Sequence, residues 1–149
     1  MLNRKYVAPI LTFLLFSTLV FSMAKVIAAS AQEIAIETVM KSQWDKPEAP
    51  LTVTPIVIVN DYAVAGWSQN IKGGRALLKQ NEGQWTVLFC GDASLKSIPV
   101  LQQAGMSLDD AIRMSTELNK AEEKASAEQI DLLNTFKGVV KVDSSHHQH

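Results

Sequence analysis

Cysteine is nearly missing from this chain. Cys90 is the only one in 149 residues, so no disulfide can form within it and a packed core must hold the fold unaided. Histidine is missing from everything but the end: all three fall in His146-His147-Gln148-His149, leaving the body without an imidazole base for Ser-His or Cys-His chemistry. Surplus positive charge is missing too. Three of the 14 basic residues (Arg4, Lys5, Lys25) and none of the 15 acidic ones precede residue 32, so the remainder carries a net charge of −4. A nucleic-acid partner would want a clustered basic surface, and none is offered.

The first 31 residues read as a secretory signal. Arg4-Lys5 is a short positive start, residues 6–21 are uncharged and largely apolar, and Ala29-Ser30-Ala31 puts small residues where signal peptidase needs them. Cleavage after Ala31 would leave Gln32 first and deliver a periplasmic or secreted protein. The alternative is an uncleaved anchor, since residues 6–24 approach the roughly 20 apolar residues that span a bilayer. Pro9, the serines and the small-residue exit favour cleavage, and no cysteine lies between residues 20 and 31 for lipid attachment. The 118 residues that follow suit one domain. The expected division is therefore 1–31 signal, 32–142 a single domain, and 143–149 a flexible histidine-containing tail.

Along residues 33–44, Ile36, Val39, Met40 and Trp44 recur at helical spacing, predicting an amphipathic helix that stops before Pro47 and Pro50. Residues 51–90 change character, with Val, Ile, Thr and Trp between turn residues, as in consecutive antiparallel strands. The reading gives strands at 52–59, 62–69 and 75–80 and a fourth ending at Cys90. Turns are expected at Asn60-Asp61, at residues 70–74 and at Asn81-Glu82-Gly83. In the fourth strand strict alternation sends Trp85, Val87 and Phe89 one way and Thr86, Leu88 and Cys90 the other. Pro55 marks the first strand as a sheet edge. A short helix over 93–104, restarted at Pro99, ends at Gly105. Ser107 with Asp110, and Ser126 with Gln129, are capping patterns opening two more helices. Leu108, Ala111, Ile112, Ser115 and Leu118 would face inward on the first of these, Ile130, Leu133 and Phe136 on the second. Residues 139–142 can add another strand. The expected class is α+β: an N-terminal helix, a four-stranded antiparallel meander, and two to three C-terminal helices packed on one sheet face. A sheet curved around a helix, as in cystatin-like or nuclear-transport-factor-like domains, is one specific form.

Candidate chemistry is sparse. Gly73-Gly74-Arg75 lacks the Lys-Ser/Thr ending of a phosphate loop and reads as a hairpin turn. Asp109-Asp110 and Glu122-Glu123 read as solvated helix faces. His146, His147 and His149 carry imidazoles that bind copper, nickel or zinc. Soft sulfur suits Cu(I), and Met40, Met106, Met114 and Cys90 supply it, although no Met-x-x-Met or Cys-x-x-Cys spacing occurs. Cys90-Gly91-Asp92 stands at a strand-to-helix junction, where a helix N-terminus lowers a thiol's pKa. The other role for Cys90 is that of a small buried hydrophobe.

Residues 44–142 resemble a small family of exported bacterial proteins described as copper uptake system-associated. The resemblance is carried by Pro47-Glu48-Ala49-Pro50-Leu51-Thr52-Val53, Asp61-Tyr62-Ala63-Val64-Ala65-Gly66-Trp67, Gly73-Gly74-Arg75-Ala76-Leu77-Leu78, the stretch from Trp85 to Asp92, and Phe136-Lys137-Gly138-Val139-Val140. It implies copper handling, with a copper ion and a membrane copper transporter as partners, and brings no ligand set with it. The leading expectation is thus a non-enzymatic accessory of copper handling, with His146, His147, His149 and Cys90 as candidate ligands. The alternative is a metal-independent binding module with an apolar pocket lined by Trp67, Trp85 and Phe89. A third arrangement, an enzymatic site around Cys90, Asp92 and Arg75, is the least supported.

Overall fold

The structure, a computed structural model, describes residues 31–143. The expected signal up to residue 30 and the three histidines lie outside them. Residues 31–44 are helical (α1), and the compact unit begins at Ala35. There follow strands β1 (Thr52–Val59), β2 (Tyr62–Gln69), β3 (Lys72–Asn81) and β4 (Gln84–Gly91), then a 3-10 turn Ala93–Lys96. Helices α2 (Ile98–Gln103), α3 (Leu108–Glu122) and α4 (Ala127–Leu133) come next, and β5 (Val139–Lys141) closes the series. The class is α+β, but the sheet has five antiparallel strands in the order β1-β2-β3-β4-β5, not four. Residues 139–141 supply the fifth by pairing with Phe89, Cys90 and Gly91.

The three hairpins turn on two residues each, and Asn60, Asn70 and Glu82 take positive φ angles of 52°, 55° and 50°. Because Asn70 turns the chain so tightly, Gly73-Gly74-Arg75 does not form the expected turn but lies within β3, opposite Ser68, Trp67 and Gly66 respectively. β1 is an edge strand, as Pro55 requires, and its pairing slips between Val53 and Ile56.

Alternation along the strands gives the sheet two apolar faces, and each is covered. On one, Ile36 and Met40 of α1 pack over Val53, Ala63, Ala65, Ala76, Leu78, Trp85 and Val87. On the other, Leu101 of α2 and Ala111, Met114 and Leu118 of α3 pack over Val59, Tyr62, Val64 and Leu77. The sheet is therefore sandwiched between helices, with α1 alone on its side. The inward face of α3 is rotated from the expected one. Met114 and Glu122 are buried with Ala111 and Leu118, whereas Leu108 and Ile112 are 52% and 43% exposed. Ser107 and Ser126 cap α3 and α4 by accepting from the backbone N–H of Asp110 and Gln129. The Gln129 side chain reaches the Thr54 carbonyl instead of closing its own capping box.

Candidate functional site

The site is created by one irregularity. β3 and β4 pair Leu77 with Phe89 but Leu78 with Val87, so Leu88 is an extra, bulged residue. Every side chain after it changes face. Phe89 joins the α2/α3 side, and Cys90 joins Trp85 and Val87 beneath α1. The expected grouping of Trp85, Val87 and Phe89 is thus broken at Phe89.

After α4 the chain passes over the end of the β2–β3 hairpin, where the Phe136 N–H donates to the Gly73 carbonyl at 2.9 Å. Phe136 then stands edge-on to Trp67, with ring centroids 5.8 Å apart and planes at 78°. Only glycine at position 74 permits this approach, since a Cβ there would lie 2.9 Å from the Phe136 Cβ and 3.1 Å from the Trp67 ring.

Trp67, Phe136 and Cys90, with Met40 and Trp44 of α1, Leu51, Gln69, Val140 and Val142, line a cavity of about 300 Å³. No charged side chain contributes to this wall among the described residues. Gln69 fastens its rim: the amide nitrogen donates to the Trp44 carbonyl at 2.8 Å and the Ala49 carbonyl at 2.6 Å, pinning the end of α1 and the proline linker to β2. The Asp45 carboxylate caps the same segment by accepting from the Leu51 N–H at 2.6 Å. Gln69 was not legible as a site residue, because a glutamine at a strand end is ordinary surface until its partners are seen.

A second cavity of about 290 Å³ lies beside α1 between Val39, Gln43, Trp85 and Thr86. Trp85 faces this one, so Trp67 and Trp85 do not share a pocket. The indole N–H groups of both tryptophans are buried without a hydrogen-bond partner among the described residues. Each such donor costs about 1–3 kcal/mol, so α1 covers its sheet face with less than full complementarity.

Burial pushes the Cys90 thiol up to about 11, the reverse of the activation expected at a helix N-terminus. The 3-10 turn after β4 is capped by Asp92, whose carboxylate accepts from Ser94 N–H and Oγ at 2.9 and 2.6 Å and from the Gly138 N–H at 2.8 Å. These hydrogen bonds hold the Asp92 carboxyl below its ordinary range. Arg75 lies 1% exposed on the α3 side, where its Nε and Nη2 donate to the two carboxylate oxygens of Glu122 at 2.6 and 2.9 Å. Lys96 donates to Glu122 Oε2 at 2.8 Å. Burial by itself would raise the Glu122 carboxyl, but the Arg75 and Lys96 hydrogen bonds and charges outweigh it and leave the group lowered. Glu122 is thus the anchor of a buried ion cluster and not the solvated residue expected.

Cys90, Asp92 and Arg75 do not converge: the thiol faces α1, the carboxylate is a cap, and the guanidinium is spent on the opposite face. No group of three His, Cys, Asp or Glu side chains able to hold a metal gathers among the described residues. No helix among them is long and apolar enough to cross a membrane. Comparison with known protein families, with curated proteins and with solved structures finds no match. The site's own geometry therefore carries the functional argument.

Proposed function

We propose that this chain is a non-enzymatic binding module whose cavity beneath α1 takes a small apolar ligand. The observation that carries this reading is the cavity itself, about 300 Å³ walled by Trp44, Trp67, Phe136, Met40 and Val140 with the Gln69 amide at its rim. That is the low end of small-molecule pockets, which run from roughly 300 to 1,000 Å³ and combine apolar walls with few polar groups. The raised Cys90 thiol supports a binding role over a nucleophilic one, since little thiolate forms at neutral pH. Saturable uptake of the uncharged fluorophore N-phenyl-1-naphthylamine tests it. Val140 is 55% exposed on β5, so Val140→Trp can fill the cavity from its rim without disturbing the core, and it should abolish the signal.

A second reading, copper handling, is favoured by one observation: Met40 and Cys90, a thioether and a thiol, line the same cavity. Soft sulfur selects Cu(I), and this pair would hold it while the histidines of the tail capture Cu(II). In that reading the protein is an exported accessory of a membrane copper transporter. Competition for Cu(I) against bathocuproine disulfonate separates the two, because Cys90→Ser would lose the ion and keep the fluorophore. Export belongs to both readings, and amino-terminal sequencing of the secreted protein should find Gln32 first.

A further inference from the structure

Trp67 is a donor held without an acceptor. Its indole N–H is buried and has no hydrogen-bond partner among the described residues, while the residue itself lines the cavity beneath α1. The ring has little freedom to turn toward a partner elsewhere. Phe136 stands edge-on to it at 5.8 Å, and β3 lies so close at Gly74 that a Cβ there would come within 3.1 Å of Trp67 Cζ2. A buried donor left in this state costs about 1–3 kcal/mol, which an acceptor delivered by a ligand would relieve. Water is a poor choice for that acceptor, because a buried water needs about two to four polar partners. Apart from the two indoles, the polar side chains on the wall among the described residues are Gln69 and Cys90. The Gln69 amide nitrogen already donates to the Trp44 and Ala49 carbonyls, and the Cys90 thiol is neutral. An apolar molecule with one acceptor matches both the hydrocarbon wall and the unpaired donor.

We infer that the cavity takes a mainly apolar molecule bearing a hydrogen-bond acceptor, and that Trp67 Nε1 donates to it. A ketone, aldehyde or ester carbonyl meets that description, and a hydrocarbon of the same shape does not. About 300 Å³ is the space of roughly ten waters at about 30 Å³ each, so the ligand has on the order of ten non-hydrogen atoms. This rests on the binding-module reading and names the chemistry its ligand must carry.

Cumene and acetophenone have nearly the same size and shape, and only acetophenone carries an acceptor. Both are titrated into the full chain, into Trp67→Phe and into Val140→Trp, with the indole N–H resonances followed by heteronuclear NMR. In the unaltered chain acetophenone should move the Trp67 indole proton downfield of its position with cumene, whose ring produces a similar ring-current shift. The Trp85 indole, buried and unpartnered beside the other cavity, should stay in place. Trp67→Phe should weaken acetophenone roughly three- to tenfold more than it weakens cumene, because the widened cavity affects both probes and the lost donor affects one. The resonance shift needs no variant, so the test stands if Trp67→Phe fails to fold. Acetophenone that saturates the chain without that downfield shift overturns the inference, and so does an equal effect of Trp67→Phe on both probes. Neither result touches the binding-module reading so long as a folded Val140→Trp loses both probes. If that variant binds them undiminished, or if neither probe binds the unaltered chain, the binding-module reading falls and the inference with it.

Discussion

Arg75 meets Glu122 side-on, Nε to Oε1 at 2.6 Å and Nη2 to Oε2 at 2.9 Å, joining the middle strand of the sheet to the last turn of α3. The Nη1 of the guanidinium donates to the Leu133 carbonyl at 3.2 Å and to Asn134 Oδ1 at 3.3 Å, so the end of α4 is tied to the same point. With the pair 1% and 6% exposed, neither charge can fall back on water if the other is removed. Glu122→Ala should cost about 3–5 kcal/mol, read from urea unfolding. Replacing both partners by apolar residues, Arg75→Met with Glu122→Leu, should cost clearly less than Glu122→Ala by itself. A double variant as unstable as the single one would mean that the pair contributes net stability beyond satisfying its own buried charges.

The same pair sets an acid limit. The Glu122 carboxyl is lowered in the folded state from an ordinary value of 4.5, so the unfolded chain takes up its proton first as pH falls. The stability this contributes is present above about pH 4.5 and is lost as pH drops through the lower folded value. Urea midpoints measured from pH 6 down to pH 2 should fall across that window. The fall should be shallower in Glu122→Gln, whose baseline is already reduced.

Cys90 should react slowly. With its thiol raised to about 11 by burial, alkylation by iodoacetamide at pH 7.5 should proceed far more slowly than that of a free thiol, and unfolding should restore the ordinary rate. A rate in the folded protein equal to that in urea would show that the cavity admits water and reagent freely to the sulfur.

Position 74 should accept nothing but glycine. A Cβ there would press on Phe136 Cβ at 2.9 Å, on the Gly91 carbonyl at 3.0 Å and on the Trp67 ring at 3.1 Å, all held by the sheet or by the edge-on ring pair. Gly74→Ala should destabilise by about 1–3 kcal/mol through overpacking and alter the near-ultraviolet signal of Trp67. Gly83, at φ 81° with open space around it, should instead lose stability through backbone strain and leave that signal unchanged.

Much of the framework was legible because it is written in local rules. Alternation with Asn and Gly turns located β1 to β4, serine caps located α3 and α4, and Pro55 marked β1 as an edge; none of these needs more than a few neighbouring residues. The helix spacing of Ile36 and Met40 likewise foretold which side of α1 is buried. Contacts between distant segments were not legible. The bulge at Leu88 moves Cys90 under α1 and Phe89 away from it, Phe136 comes to Trp67 from the far end of the chain, and Arg75 finds Glu122 across 47 residues. A one-residue slip in pairing reverses every later side chain yet leaves the composition unchanged, so alternation cannot reveal it. Sequence by itself determined which segments are helix and strand, because periodicity and capping are properties of neighbours. Only the tertiary structure decided where a cavity opens and what lines it, because that depends on register and packing between segments that no local pattern records.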